Sequence, residues 1–228
     1  MIKKFITYSI FATVCVVAYA QEEVRVLTPF SQISVSQGIS VSIKKGSDLK
    51  AVVDVSGSNI DLEDVITEVF GDRLSVRFEK NMRRVNGKVT VVVTYQSLSE
   101  IDISSAGRLT SLDLLTTENL EIDVSSAGKV NLQISTKVLD VDVSSAGKVV
   151  LRGNAAEQVI DVSSAGDYDA HDLISEIVDI DVSSAGSVIL KVNNELKANA
   201  SSAGSIKYRG EPLKVNVHSS SGASIKKY

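Results

Sequence analysis

The tetrapeptide Ser-Ser-Ala-Gly occurs six times, at residues 104–107, 125–128, 144–147, 163–166, 183–186 and 201–204. Its glycines, Gly107, Gly128, Gly147, Gly166, Gly186 and Gly204, lie 21, 19, 19, 20 and 18 residues apart. A period this short allows one small supersecondary unit per repeat. Such a unit cannot bury its apolar face alone and must stack on its neighbours. A solenoid is therefore expected.

The residues between the glycines decide its type. From Gly128 to Gly147, Val130, Leu132 and Ile134 alternate with polar residues, and so do Leu139, Val141 and Val143. Two period-2 runs mean two strands, and no coil has room for a helix of ordinary length. The fold expected is all-β: a single-stranded parallel β-helix or β-solenoid, right-handed, with about 18 to 21 residues per coil. Each Ser-Ser-Ala-Gly is the corner of a coil, where glycine supplies the freedom a sharp bend needs. Counting by alternation from Val143, Ser144 points out and Ser145 in. Ser105, Ser126, Ser145, Ser164, Ser184 and Ser202 would then form an internal ladder of hydroxyls. A nucleophilic role for these serines is not expected, because the chain holds only two histidines, His171 and His218.

Met1 to Ala20 reads as a secretory signal peptide: Lys3 and Lys4, an apolar stretch from Phe5 to Val17, then Ala18-Tyr19-Ala20 before polar Gln21. The only cysteine, Cys15, lies inside it, and Val14 before it argues against lipidation. Cleavage removes two lysines and no acid, so 24 basic residues become 22 against 28 acidic ones, and the net charge moves from −4 to −6. An acidic chain is not expected to bind nucleic acid or anionic lipid surfaces. No second apolar segment long enough to span a membrane follows. An exported chain without disulfides fits the periplasm, the outer-membrane surface or the extracellular space of a bacterium.

Residues 21–100 repeat less regularly but remain β-like, and one domain, 21–228, is expected. Ile39, Val41 and Ile43 alternate with polar residues, as do Ala51, Val53 and Val55. Asp54-Val55-Ser56-Gly57 resembles a degenerate corner, and Ser58 to Val65 could hold a short helix. Val69-Phe70, Gly71-Asp72 and Leu74, Val76, Phe78 read as a hairpin. Lys80 to Asn86 is a basic loop with Arg83 and Arg84, followed by a strand carrying Val89, Val91, Val93 and Tyr95.

Phe30, Ile33, Gly38 and Val41 near the start, Leu74 and Val76 in the middle, and Tyr95, Leu98 and Ile101 leading into the Ser-Ser-Ala-Gly units form a broader pattern. In this the chain resembles the putative auto-transporter adhesin, head GIN domain family, typical of envelope proteins in Bacteroidetes. The resemblance implies a β-helical fold and carries over no catalytic residue. The last unit departs from the pattern, since Ser219-Ser220-Ser221-Gly222-Ala223-Ser224 shifts the corner.

One surface feature repeats with the corners. An acid stands just before each one, at Asp102, Asp123, Asp142, Asp161 and Asp181, with Asn199 in the sixth coil. Two residues earlier come Glu100, Glu121, Asp140 and Asp179, interrupted by Val159 and Lys197. Stacked like charges repel. Solvation with local pairing to Arg108, Lys129 and Lys148 is one answer. Binding of Ca²⁺ or a cationic partner by Asp123, Asp142, Asp161 and Asp181 is another, hard oxygen ligands being right for that ion. His171, within Asp169-Ala170-His171-Asp172, reads as an exposed loop histidine, and His218 as part of the irregular last corner.

Two functions follow. The preferred one is a non-enzymatic envelope or surface module, adhesin-like or structural, whose faces contact an envelope protein, a glycan or a cell surface, with no cofactor required. The alternative is a polysaccharide-processing or polysaccharide-binding β-helix using acidic pairs along a groove. Absence of Trp and aromatics at 5% weigh against sugar subsites.

Overall fold

The computed structural model describes residues 21–57, 59–79 and 87–228. The proposed signal peptide with Cys15, and the basic loop with Arg83 and Arg84, lie outside the described residues.

The first half supplies β1 (Gln21–Val26), β2 (Gln32–Val35), β3 (Ser40–Lys45), β4 (Lys50–Gly57), β5 (Val65–Phe70), β6 (Arg73–Phe78), β7 (Gly87–Tyr95) and β8 (Glu100–Ile103). The second half supplies β9 (Arg108–Thr116), β10 (Asn119–Val124), β11 (Lys129–Val143), β12 (Lys148–Val162), β13 (Asp167–Val182) and β14 (Ser187–Ala200). It ends with β15 (Ser205–Arg209), β16 (Lys214–Ser219) and β17 (Ser224–Lys227). A single 3-10 turn, Leu62–Asp64, stands where a short helix was expected.

All seventeen strands belong to one continuous sheet folded into two faces. The first face runs β1, β4, β7, β3, β9, the first halves of β11 to β14, then β15 and β17. The second runs β5, β6, β2, β8, β10, the second halves of β11 to β14, then β16. β11 shows how one chain segment serves both. Val130, Leu132 and Ile134 point inward, Lys137 and Val138 are both exposed at a bend, and Leu139, Val141 and Val143 point inward again. The two consecutive exposed residues reset the alternation, so both halves bury their apolar side. Thr136, buried at this bend, hydrogen-bonds through its hydroxyl to the carbonyls of Glu118 and Val138, both at 3.0 Å.

From β2 upward every contact between successive coils is parallel and side chains stack in columns. One inner column runs Ile33, Ile101, Ile122, Val141, Ile160, Ile180 and Ala198 in register. All are buried, in one core cluster that extends from Leu27 to Ile206. Each large aliphatic side chain so buried contributes about 1.5–3 kcal/mol. Tyr168, fully buried, donates its hydroxyl to Gln158 Oε1, and Gln158 in turn donates to Ser175, so three buried polar groups satisfy one another.

The corners correct the alternation argument. In Ser144-Ser145-Ala146-Gly147, Ser145 (φ 49°) and Ala146 (φ 60°) both adopt left-handed backbone, and the Gly147 amide donates to the Ser144 carbonyl at 2.8 Å. This is a type I′ turn. Its two central residues project into solvent, so the second serines form no internal ladder. Ser145 and Ala146 are exposed, Ser144 is half-buried and only Gly147 is buried. Nor does the glycine serve by its freedom of rotation. A Cβ at Gly147 would lie 2.6 Å from the carbonyl oxygen of Val124 in the coil below. The residue is glycine because another backbone passes too close. Left-handed Ser and Ala each cost roughly 1–2 kcal/mol. A ladder of amides offsets this, for example Ala127 to the Ser145 carbonyl and Ala146 to the Ser164 carbonyl, each 3.0 Å.

The same turn recurs at both ends of the stack. Ser36-Gln37-Gly38-Ile39 is the first (Gln37 φ 59°, Gly38 φ 77°), unannounced by the tetrapeptide. Ser220-Ser221-Gly222-Ala223 is the last, its shape kept with Gly and Ala exchanged (Ser221 φ 50°, Gly222 φ 76°). The described residues up to Tyr95 differ more. β4 is antiparallel to β7 and β1, and β5 forms a hairpin with β6. The hairpin and the strand Gly87–Tyr95 are as expected. Asp54 to Gly57, however, is no corner; it continues β4 straight, with Gly57 opposite Gly87.

Candidate interaction face: the acidic ladder

Regular stacking converts sequence spacing into a surface. Asp102, Asp123, Asp142, Asp161 and Asp181 stand directly opposite one another on successive strands, with Ser34 below and Asn199 and His218 above. A second column runs Glu100, Glu121, Asp140, Val159, Asp179 and Lys197. Both lie on the outer side of the second face. His218 is thus the last rung of the ladder, on β16, and not part of a corner.

The ladder is neutralised mainly at its ends. At the lower end Arg73, on β6, reaches across Gln32 to Glu100 and lies 3.5 Å from Asp102. Ser34 Oγ donates to Asp102 at 3.2 Å. At the upper end Lys197 holds Asp179 at 2.8 Å. Arg73 was not foreseen as a partner, because it is far away in sequence and comes alongside only through the parallel contacts of β6, β2 and β8. The cations past the corner act elsewhere. Arg108, Lys129 and Lys148 stack in a column of their own on the first face, where Lys148 pairs with Asp167 at 2.6 Å.

The middle rungs show the consequence. Asp123 is pushed up to about 6, by partial burial and then by the charges of Glu121, Asp142, Asp102 and Glu100. Asp161 is raised by burial and by Asp142 and Asp181. A shallow cleft of about 120 Å³ opens at the upper end, where Asp161, Asp181, Asn199 and His218 line it with Ser201 and Ser220. Among the described residues no three Asp, Glu, His or Cys side chains converge to hold a metal ion. The carboxylates are strung along a line and do not surround a point. The arrangement can present a continuous anionic strip to a cationic surface.

His171 lies on β13, not in a loop. The pairing of β13 with β14 jumps from Ala170 opposite Leu190 to Ile174 opposite Lys191, which leaves His171, Asp172 and Leu173 as a bulge. The longer 20-residue coil accommodates it. The imidazole is bracketed by carboxylates, Nδ1 at 2.6 Å from Asp169 and Nε2 at 2.9 Å from Asp172, so neither ring nitrogen is left open for a metal. Burial acts to raise Asp169, but hydrogen bonds from the His171 ring and amide outweigh it and lower the carboxyl. Arg209 donates to the His171 carbonyl and clamps Asp172.

Solved structures share this architecture. A putative adhesin from Bacteroides fragilis is similar with a TM-score of 0.82 at 21% identity, covering 92% of this chain and 97% of its own. A putative lipid binding protein from Parabacteroides distasonis follows at 0.73 and 16% identity, covering 92% and 96%. A putative adhesin from Parabacteroides merdae gives 0.69 at 18% identity, again covering 92% and 96%. At these identities the likeness is one of fold. No curated protein matches the chain significantly. The sequence pattern of residues 29–212 does match a family, and on that match the chain belongs to the putative auto-transporter adhesin, head GIN domain family.

Proposed function

We propose that the chain is exported after cleavage behind Ala20 and acts outside the cytoplasm as a non-catalytic adhesive module whose contact surface is the acidic ladder. The observation that carries this reading is the register of Asp102, Asp123, Asp142, Asp161 and Asp181. Like charges held opposite one another each cost a few tenths of a kcal/mol or more. A repeated cost of this kind suits a surface that is relieved when a partner arrives. The partner's chemistry follows from the charge: a cationic patch on an envelope protein, an amino-sugar glycan or a cell surface. Family membership and the adhesin descriptions of two similar structures support the same direction.

The test is binding of the protein to immobilised chitosan, polylysine and whole envelope preparations, alongside turnover assays on acidic polysaccharides. Salt-sensitive binding without turnover is expected. Turnover of any polysaccharide, or binding unaffected by Asn at Asp123, Asp142, Asp161 and Asp181, would overturn the proposal.

A further inference from the structure

Among the described residues the two ends of the stack are both open sheet edges, and they differ in chemistry. At the tail, β16 and β17 have no strand above them among the described residues. Val215 and Val217 continue the inner columns of Leu196 and Ala198, which are fully buried one coil below. Yet Val215 is 49% and Val217 45% exposed, and Leu213 beside them 85%. At the head, β1 and β5 are the outermost strands among the described residues. The interior there is closed by Arg25, whose guanidinium crosses between the faces to Thr67 Oγ1 (3.1 Å), the Leu62 carbonyl (2.7 Å) and the Val65 carbonyl. Outside that plug Val24, Val26 and Phe70 are exposed, Phe70 by 91%. Free edges with apolar flanks are templates for another strand.

Charge selects which strand. Residues 205–228 carry Lys207, Arg209, Lys214, Lys226 and Lys227 against the single acid Glu211. The head segments 21–26 and 61–72 carry Glu22, Glu23, Asp61, Glu63, Asp64, Glu68 and Asp72 against the single cation Arg25. A net +4 tail and a net −6 head coexist on a chain whose overall charge is −4. Two tails together would oppose lysines; a tail on a head opposes unlike charges.

Strand direction agrees. β1 is antiparallel to β4, which is antiparallel to β7, which is parallel to β3, so β1 runs in the same direction as β17. Translating a second copy along the axis sets its β1 beside β17 in parallel and its β5 beside β16 antiparallel. Both pairings continue the sheet at strand spacing, about 4.8 Å. The outward residues then match: Glu22 and Lys226 share the outer side of the first face, Glu68 and Lys214 that of the second.

We infer that copies of this chain associate head to tail, the tail strands β16 and β17 of one copy docking on the head strands β5 and β1 of the next. Such a contact is heterologous and does not close on itself, so it builds linear filaments in which the acidic ladders of successive copies align.

The experiment uses two charge-swapped variants of the protein purified after expression of the full chain. One carries Lys214→Glu and Lys226→Glu in the tail, the other Glu22→Lys and Glu68→Lys in the head. All four positions are on the surface; Lys214 also pairs with Glu195 at 3.2 Å, so a melt that stays cooperative well above the assay temperature establishes that each variant folds. Sedimentation velocity over a concentration series should show wild-type protein growing into linear oligomers. Each variant alone should associate about ten-fold more weakly or worse, since each opposes like charges. An equimolar mixture of the two should regain wild-type association, because swapped tail meets swapped head and native tail meets native head. A wild-type protein that stays monomeric at every concentration overturns the inference. So does a closed dimer that the tail variant strengthens, or a mixture no better associated than its components.

Discussion

Asp123 and Asp142 face each other directly on adjacent coils, on β10 and β11, and no cation of the described residues stands between them. Partial burial, and then the charges of Glu121, Asp142, Asp102 and Glu100, push the Asp123 carboxyl up to about 6, above the ordinary carboxylate range near 4. Between those values the folded protein binds more protons at this site than the unfolded chain. Stability contributed by Asp123 is thus highest below about pH 4 and falls as pH rises through 6. Replacing Asp123 by Asn should leave stability at pH 4 unchanged and raise it at pH 7. Comparing variant with wild type isolates this site from Asp169, which is lowered and acts in the opposite sense. Carboxyl NMR titration and urea melts at both pH values check the site and its sign; equal pH profiles for the two proteins would contradict it.

At the corner, neighbouring residues should respond in opposite directions. Gly147→Ala places a Cβ 2.6 Å from the Val124 carbonyl oxygen and 3.0 Å from that of Ser144, both backbone atoms that cannot step aside. The expected loss is about 2 kcal/mol. Ala146→Gly relieves a left-handed residue (φ 60°) and should be neutral or stabilising by up to about 1 kcal/mol. Thermal melts of the pair read the difference. Equal effects would contradict the assignment of strain to Ala146 and close approach to Gly147.

Arg73→Gln should matter more than Lys197→Ala. Arg73 faces Glu100 and Asp102 together, and Glu100 is only 20% exposed, whereas Lys197 and Asp179 are about half exposed. Urea denaturation should show a loss of about 1 kcal/mol for Arg73→Gln and a few tenths for Lys197→Ala, both shrinking at high salt.

The coil length, the two strands per coil and both acidic columns were legible because a fixed period of about 19 residues fixes the register of every rung. Alternation failed at Ser145 because two left-handed residues in a row break the period-2 rule that strands obey. The first corner, Ser36 to Ile39, shares one residue with the tetrapeptide and could be recognised only by its backbone shape. Asp54 to Gly57 misled for the converse reason: corner-like composition on a strand held straight by antiparallel pairing with β7. The partners Arg73 and Arg209 depend on contacts between strands distant in sequence, which no local pattern encodes. His171 was misplaced because a bulge inside a strand leaves the same polar signature as a loop.

Calcium distinguishes a linear ladder from a chelating site. A ligand that binds only the folded state raises its melting temperature by mass action, whereas screening depends on ionic strength alone. With Asp123, Asp142, Asp161 and Asp181 in line, millimolar calcium should raise the melting temperature no more than sodium of equal ionic strength. A larger calcium increment, abolished by Asn at Asp142 and Asp161, would establish a cation site on the ladder.

The most direct test of the adhesive ladder compares two variants of equal net charge. The first replaces Asp123, Asp142, Asp161 and Asp181 by Asn; the second replaces the exposed acids Asp48, Glu63, Glu118 and Glu176, all off the ladder, by their amides. Retention on an immobilised cationic surface, measured over a salt series, should fall sharply for the first and stay close to wild type for the second. Equal losses in both variants would mean that net charge alone governs adhesion, and would contradict a role for the ladder.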